Sequence, residues 1–283
     1  MKRENPINTS KSAGPVKVRP ILKWAGGKQQ LLPHLLPRVP GKYNKYIEPF
    51  IGGGALYFAL APEKAVICDS NPELTHVYQT TADDVERLIL RLKKYKTDTE
   101  SFYKERARNR NRLRPVGRAA RTIYLNKTCF NGLYRVNRAG QFNVPYGRYK
   151  NPNVCREEEL RAASLLLKTS TIVTGDYQET LKRYAEKGDF IFIDPPYMPV
   201  SKYADFKRYT KEQFYEADHA ELAKEVKRLH GLGCHLLITH SNHPLIHDLY
   251  KEFEIHIFPT RRNISKDGKN RIGEDVIIDI PPV

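Results

Sequence analysis

Long apolar runs are missing from this chain of 283 residues. No run approaches the ~20 consecutive apolar residues that a membrane-spanning helix needs. The stretch 1–20 is polar and basic, without the apolar core of a secretion signal. We therefore expect a cytoplasmic protein that has no membrane partner. The length suits one large domain, or one domain that carries an insertion.

Cysteine is scarce, and the four cysteines are widely scattered. They form no C-x-x-C pair, and no histidine lies near them at the spacing of zinc ligands. We expect reduced thiols at Cys68, Cys129, Cys155 and Cys234. The histidines gather in the C-terminal half but include no H-E-x-x-H motif. We interpret them as core or surface side chains and predict no metal site.

Acidic residues are outnumbered, with 32 Asp and Glu against 48 Lys and Arg, which gives a formal charge of +16. Such an excess indicates a polyanionic partner, although it would also suit a ribosome-coating protein. Residues 1–19 are basic and show no apolar period. We predict that they form a disordered, solvated tail.

A strand, a glycine turn and a helix follow one another early in the chain. Tyr46–Glu48 is predicted as the strand, and Ala55–Leu60 as the helix that follows Pro-Phe-Ile-Gly-Gly-Gly. A second strand, Ala65–Cys68, ends at Asp69, where a carboxylate would accept hydrogen bonds from ribose hydroxyls. A unit of this kind commonly binds nucleotides. By itself it does not distinguish a binding site for NAD from one for S-adenosylmethionine (SAM). The alternative is an ordinary tight turn, since any such turn can contain glycine.

The segment before this unit reads I-L-K-W-A-G-G-K over 21–28. We predict a short strand that the paired glycines interrupt, followed by a helix from near Gln29. A cation is disfavoured at a helix N-terminus, so Lys28 indicates an anionic ligand, with an ordinary helix-start cation as the alternative. Trp24, the single tryptophan, also suits a core anchor.

The character of the chain changes from about 76 to 152, and we interpret this part as an insertion. Helical periodicity covers 82–94, and a basic helix is predicted at 102–114. Seven arginines crowd the region: Arg106, Arg108, Arg110, Arg112, Arg114, Arg118 and Arg121. Two stretches rich in aromatic and amide side chains follow, at 130–137 and 141–150.

The composition of these stretches points to a partner. Arg and Asn bind guanine and adenine edges with paired hydrogen bonds, and a neighbouring Phe or Tyr can wedge into a base step. A run of arginines is more commonly a solvated surface. Because both stretches combine cations, amides and rings, we favour nucleic acid.

The α/β pattern resumes after the insertion. Further strands are predicted at 171–174, 190–193, 235–239, 254–258 and 274–280. Helices are predicted at 157–168, 211–230 and 244–253, with another that ends near 186. Thr210 and Gln213 would form a capping box for the helix from 211, and a basic loop is predicted at 261–271.

A tetrapeptide follows the apolar strand Phe190–Ile193: Asp194-Pro195-Pro196-Tyr197. It leaves the carboxyl end of the strand, where ligands bind in open α/β sheets. The prolines hold the Asp194 carboxylate and the Pro195 carbonyl, which are both acceptors only. They suit a planar amino group such as that of adenine, and Tyr197 offers a ring for stacking. The alternative is a strand-ending turn covered by a tyrosine.

The motifs K-W-A-G-G-K, E-P-F-I-G-G-G, I-C-D-S-N, F-N-G-L-Y-R-V-N, F-N-V-P-Y-G-R-Y-K, D-P-P-Y and T-R-R-N-I-S occur in this order. In content and order they resemble the Dam family of DNA adenine methyltransferases over roughly 20–280. The resemblance implies an α/β, Rossmann-like fold with a seven-stranded, mostly parallel sheet and an inserted helical target-recognition domain. It further implies SAM as methyl donor, S-adenosylhomocysteine as product, and double-stranded DNA containing GATC as target.

The resemblance also assigns residues by motif position. The catalytic residues would be Asp194, Pro195, Pro196 and Tyr197. The SAM-binding residues would be Trp24, Lys28, Phe50, Gly52, Gly54, Asp69, Asp176, Tyr177 and Asp194. The DNA-binding residues would be Lys23, Phe130, Asn131, Arg135, Asn137, Pro145 and Arg148. Phe130 stands where some relatives carry Tyr, which keeps a ring that can stack.

These assignments divide the chain into a catalytic domain at 20–75 and 153–283 and a DNA-binding domain at 76–152. We expect a monomer that flips the target adenine out of the duplex. Two alternatives stay open: methyl transfer to RNA or to a protein glutamine amide, and a catalytically inactive DNA-binding protein on the same scaffold. Asp at 194, where a related signature has Asn, and the arginine-rich insertion favour DNA.

Overall fold

A computed structural model describes residues 18–198, 214–261 and 272–283, without the side chains of residues 261 and 272. Most of the predicted basic tail lies outside these ranges. So do Thr210 and Gln213, the residues of the predicted capping box, and nearly all of the basic loop.

The described residues contain one mixed sheet of seven strands. The strands are β1 Tyr46–Glu48, β2 Ala65–Asp69, β3 Ser170–Thr174, β4 Phe190–Ile193, β5 His235–Ser241, β6 Glu254–Arg261 and β7 Ile272–Ile280. Their order is β3-β2-β1-β4-β5-β7-β6. Strands β1 to β5 pair in parallel, and β7 runs antiparallel to both β5 and β6. The predicted seven-stranded, mostly parallel sheet is confirmed.

Helices connect the strands and cover the sheet. They are α1 Leu32–Leu35, α2 Ala55–Leu60, α3 Pro72–Leu92, α4 Thr99–Ala107, α5 Pro115–Thr128, α6 Glu157–Lys168, α7 Tyr177–Tyr184, α8 Glu216–Leu232 and α9 Pro244–Leu249. Short 3-10 turns lie at Lys28–Gln30, Leu36–Arg38, Arg110–Arg112 and Phe130–Gly132. No helix in the described ranges is both long and apolar enough to span a membrane.

Both faces of the sheet are buried at β4, which explains the continuous apolar run of this strand. Phe190 and Phe192 pack into one core with residues of α2, α3 and α5, whereas Ile191 and Ile193 pack into a second core with α7 and α8. From β1 the chain builds the sheet outward to β3, and it then returns to place β4 on the other side of β1. Ligands bind at such a reversal of strand order, beyond the carboxyl ends of the strands.

Four local predictions are wrong. Residues 21–24 form no strand. The basic helix predicted at 102–114 ends at Ala107, and a new helix, α5, begins at Pro115, because proline fits the first turn of a helix but not its interior. The helix predicted at 211–230 begins at Glu216, with Tyr215 as its N-cap, and the helix predicted at 244–253 ends at Leu249.

The predicted insertion corresponds to most of α3, all of α4 and α5, and the loops that follow. Helix α3 runs continuously across the predicted domain boundary at 75–76, apart from non-helical backbone at Asp84. Helix α5 packs on α3 and α4, and α6 packs on α3 from the catalytic part. The domain boundaries therefore stay a prediction. All four cysteines are free thiols in the structure.

Candidate functional site

The glycine loop between β1 and α2 is held tightly by its neighbours. Ile51 N–H donates to the Cys68 carbonyl at 2.8 Å, and Gly52 N–H donates to Asp69 Oδ2 at 3.0 Å. Gly52 has φ +45°, and a Cβ there would lie 3.0 Å from the Trp24 ring. A side chain at Gly52 would thus be strained and would crowd the indole, so glycine is required in this turn.

Asp69 lies at the carboxyl end of β2 beside this loop. Its Oδ1 accepts a hydrogen bond from the Asn71 N–H at 2.9 Å, and its Oδ2 accepts from Gly52. Burial raises the pKa of Asp69 to about 6. Each oxygen keeps a further lone pair, so the carboxylate can accept hydrogen bonds from a ligand.

Aromatic rings line the next part of the same edge. Phe50 lies 4.9 Å from Tyr177 and 6.0 Å from Phe214, measured between ring centroids. Asp176 caps α7 by accepting hydrogen bonds from the N–H groups of Gln178 and Glu179. The structure thus brings the predicted pair of residues 176 and 177 next to the glycine loop, with Asp176 itself exposed.

The D-P-P-Y segment begins where β4 ends. Asp194 is half-buried, and its Oδ1 accepts from Lys28 Nζ at 2.7 Å and from Thr239 Oγ1 at 2.9 Å. Lys28 Nζ also donates to the Gly26 carbonyl at 2.5 Å, and Lys28 itself is 5% exposed. Three distant parts of the chain therefore converge on one carboxylate oxygen.

Tyr197 is held by ring contacts. It stacks on His240 with 4.8 Å between centroids, and Lys28 Nζ lies 4.5 Å from its centroid. His240 in turn meets the edge of His219 at 4.7 Å. Burial lowers the pKa of His240 to about 3 and that of His219 to about 4, so both rings are neutral at pH 7.

A second carboxyl group is buried at the end of β1. Glu48 is 2% exposed, and its Oε2 accepts from the Tyr46 hydroxyl at 2.6 Å. Burial raises the pKa of Glu48 well above its ordinary value, which favours the protonated form. Nearby charges on Asp194 and Lys28 act on it as well. From the sequence, Glu48 is predicted only as the last residue of a strand.

Apart from Lys23, the predicted DNA-binding residues lie together on a loop region that follows α5. Isolated bridges pair Cys129 with Tyr146 and Val136 with Phe142. The Phe130 N–H donates to the Pro145 carbonyl at 2.9 Å, which joins the two predicted motifs, and the Phe130 side chain is 50% exposed. An exposed phenylalanine on a polar loop suits contact with a partner.

The same loop is anchored to the segment before the glycine loop. Asn126 accepts from the Lys23 N–H at 2.8 Å and donates to the Lys23 carbonyl at 2.7 Å. It also donates to the Gly132 carbonyl at 2.9 Å, and Trp24 stacks on Tyr134 at 5.5 Å. The predicted cofactor segment and the predicted DNA loop are therefore in contact.

The remaining predicted DNA-binding residues are exposed, but two already make side-chain contacts. Arg135 Nε donates to Asn143 Oδ1 at 2.8 Å and its Nη2 donates to the Asn143 carbonyl at 3.5 Å, which braces the guanidinium. Asn137 donates to Gln141 and accepts two backbone N–H groups in a turn. Asn131 and Arg148 have φ of +53° and +52°.

Several arginines of the run at 106–121 bind other parts of the protein, so fewer of them are free to contact DNA than their number in the sequence indicates. Arg118 pairs with the buried Glu73, and Arg110 lies 3.6 Å from the same carboxylate. Arg121 is 5% exposed and donates to the carbonyls of Glu105 and Arg106 at 2.8 Å. These three cations tie α3, α4 and α5 together. Arg112 and Arg114 are exposed.

Thr239 and His240 were not predicted as site residues. Their position at the carboxyl end of a predicted strand was the one feature of the sequence that could have indicated a role in the site. From the sequence, His240 was interpreted as a core or surface residue. Their contacts with Asp194 and Tyr197 depend on the pairing of β5 with β4. No group of His, Cys, Asp or Glu within 18–198, 214–261 and 272–283 is arranged as a metal site.

The strand order, the glycine loop and the D-P-P-Y segment together define a Rossmann-like methyltransferase. Residues 24–264 match the family described as D12 class N6 adenine-specific DNA methyltransferase, and the chain belongs to that family. The resemblance to adenine-specific DNA methyltransferases is thereby confirmed.

Similar proteins cover nearly the whole chain. The type II methyltransferase M1.LlaDCHI of Lactococcus lactis subsp. cremoris is 42% identical over 272 residues, covering 93% of this chain and 95% of that protein. M.MjaIII of Methanocaldococcus jannaschii is 40% identical over 278 residues, with 90% and 96% covered. The DNA adenine methylase of Haemophilus influenzae is 30% identical over 273 residues, with 94% of each covered.

Proposed function

We propose that this protein transfers a methyl group from SAM to the exocyclic amino nitrogen of adenine in double-stranded DNA, within GATC. The observation that carries the proposal is the contact of the Lys28 ammonium with both Asp194 and the Tyr197 ring. This carboxylate and this ring already hold a positively charged nitrogen. The amino nitrogen of adenine acquires positive charge as it takes a methyl group, so the same groups would stabilise it.

The residues at the ends of β1 and β2 fit SAM. The glycine loop leaves backbone open to a ligand, Asp69 can accept from hydroxyl groups, and the Phe50 ring can stack on a base. The residues that would hold SAM are Trp24, Lys28, Phe50, Gly52, Gly54, Asp69, Asp176, Tyr177 and Asp194. When bound, SAM supplies a methyl group that its sulfonium already activates, with S-adenosylhomocysteine as the product.

The chain's own residues would prepare the adenine. A base paired inside a duplex is out of reach, so it must be flipped out, which costs a few kcal/mol. Tyr197 receives the flipped ring, and Asp194 and the Pro195 carbonyl accept the two amino hydrogens. These hydrogen bonds turn the nitrogen lone pair away from ring conjugation, so that it becomes nucleophilic. After the transfer, Asp194 is placed to take the proton that the nitrogen releases.

The loop region after α5 would read the DNA. Phe130 is exposed and can enter a base step, and Arg135 is braced by Asn143 in a way that suits a guanine edge. The residues proposed to contact DNA are Lys23, Phe130, Asn131, Arg135, Asn137, Pro145 and Arg148. Trp24 stacks on Tyr134 of this loop, which supports a DNA-reading loop that lies beside the residues proposed to bind SAM.

The test is methylation by the purified protein with labelled SAM on pools of duplex DNA, RNA and protein. We expect label in DNA alone, as N6-methyladenine, and mapping of methylated positions in a methylation-free host should return GATC. Asp194→Ala should abolish transfer while duplex binding persists. Label in RNA or in protein glutamine would establish the alternative substrate. Absence of SAM binding by calorimetry would establish an inactive DNA-binding protein.

A further inference from the structure

Thr239 lies beside Asp194 because of the strand register. Ile193 of β4 pairs with Ile238 of β5, so the next residue on each strand is brought level with the other. Thr239 is fully buried and donates from Oγ1 to Asp194 Oδ1 at 2.9 Å. Its β-branched side chain is stiff at χ1, so this donor is fixed by the sheet.

Lys28 is the second donor to the same oxygen, but its position conflicts with substrate. Its ammonium contacts Oδ1 of Asp194 and lies over the Tyr197 ring, on which the flipped adenine would stack. A lysine has a flexible four-carbon stem and can move aside, whereas Thr239 cannot. Thr239 is therefore the donor that stays on Asp194 when adenine arrives.

Lys28 and Thr239 both donate to Oδ1 of Asp194, so the direction in which Oδ2 points depends on how firmly Oδ1 is held. The terminal torsion of aspartate has a broad, roughly two-fold distribution, so an isolated carboxylate would rotate. A hydrogen bond to a charged acceptor is stronger than one between neutral groups, and it can suppress that rotation.

We infer that Thr239 is a positioning residue, whose hydroxyl fixes Oδ1 of Asp194 so that Oδ2 accepts the amino hydrogen of the substrate. The inference rests on the proposed function, since it assumes an amino group that is methylated at this site. Thr239 does not touch the reacting atoms, and it acts only through the carboxylate. Its hydroxyl should therefore affect turnover without affecting the binding of SAM or DNA.

The test compares Thr239→Val, which keeps the shape and removes the hydroxyl, with Thr239→Ser, which keeps the hydroxyl. The full-length variants are measured for kcat, for SAM affinity by calorimetry, for duplex affinity, and for thermal midpoint. We expect kcat of the valine variant to fall by about tenfold or more, which is the order of one hydrogen bond to a charged group. SAM and duplex affinities should stay within about twofold of wild type, and serine should restore most of kcat.

The outcomes separate this inference from the function on which it rests. Equal kcat for the valine variant and wild type would overturn the inference alone, and so would an equal loss in both variants or a loss confined to SAM affinity. If the valine variant does not fold, Thr239→Cys replaces it. Because a thiol is a weaker hydrogen-bond donor than a hydroxyl, we expect the kcat of Thr239→Cys to lie below that of Thr239→Ser and below that of wild type. A wild-type kcat for Thr239→Cys would contradict the inference. A wild-type enzyme that leaves DNA unmethylated would instead refute the proposed function.

Discussion

Lys28 Nζ lies 2.7 Å from Oδ1 of Asp194, and the two side chains are only 6% and 19% exposed. The contact joins the glycine segment before α1 to the carboxyl end of β4. Attraction between charges grows as water is excluded, so this pair should be energetically coupled even though its burial also carries a desolvation cost.

A double-mutant cycle of Lys28→Met and Asp194→Asn checks this coupling. We expect each single variant to lower the free energy of unfolding, and the coupling energy to be about 1–3 kcal/mol in urea titrations at pH 7. The pair Lys224 and Glu221 on α8 is the control, because its Nζ to Oε1 distance is also 2.7 Å but both side chains are mostly exposed. That pair should couple much more weakly. Additive effects at Lys28 and Asp194 would contradict the buried ion pair.

Arg135 should determine preference at one base pair. Its Nε and Nη2 both donate to Asn143, so the loop fixes the orientation of the guanidinium. On sites with single substitutions, Arg135→Ala should lose about 1–3 kcal/mol of discrimination at one position. Arg138→Ala, on the exposed turn of the same loop, is the matched control and should keep the preference. A uniform loss across all sites for Arg135→Ala would indicate a phosphate contact.

Variants of Arg121 and Arg112 distinguish arginines that stabilise the fold from arginines that contact DNA. Arg121 is buried and donates to two carbonyls at the end of α4, so Arg121→Met should lower the free energy of unfolding by about 2 kcal/mol. Arg112 is exposed, so Arg112→Ala should leave stability nearly unchanged. It should instead weaken duplex binding and flatten its salt dependence. Chemical denaturation measures the stability of the two variants, and duplex binding at several salt concentrations measures their contact with DNA. Equal losses in the free energy of unfolding would contradict a structural role for Arg121 and a DNA-binding role for Arg112.

The arginine run at 106–121 contains side-chain contacts that could not be predicted from the sequence. Spacing identifies the cations, but it does not show that Arg118 turns toward Glu73 on α3, or that Arg121 turns toward the end of α4. Likewise, the backbone of Lys23 bonds to the side chain of Asn126 instead of a neighbouring strand. Such partners come from distant parts of the chain, so no local pattern reveals them.

The central features were predictable because their causes are local. The run Phe190–Ile193 alternates between two cores, and a strand buried on both faces is continuously apolar. The two prolines end that strand and place Asp194 at the edge where ligands bind. The contribution of Thr239 and His240 was missed because it depends on the register between β4 and β5, which the sequence does not encode in any single motif.

His240 should make the protein sensitive to acid. Burial lowers its pKa to about 3, from an ordinary value of 6.5, so the unfolded chain takes up a proton below pH 6.5 while the folded protein does not. Unfolding is therefore favoured as the pH falls from 6.5 toward 3, by at most about 1.4 kcal/mol per pH unit from this group. His219, with a pKa of about 4, acts in the same direction.

His240→Phe keeps a ring for Tyr197 to stack on and removes the titrating group. We expect the free energy of unfolding to fall less between pH 7.5 and pH 5 in this variant than in wild type, by up to about 2 kcal/mol. Urea titrations at the two pH values measure the difference. Asp69, whose pKa is raised to about 6, contributes with the opposite sign but equally in both proteins, so it cancels. His219→Phe should reduce the acid sensitivity in the same way, and parallel pH curves for wild type and both variants would mean that neither buried ring is held neutral against protonation.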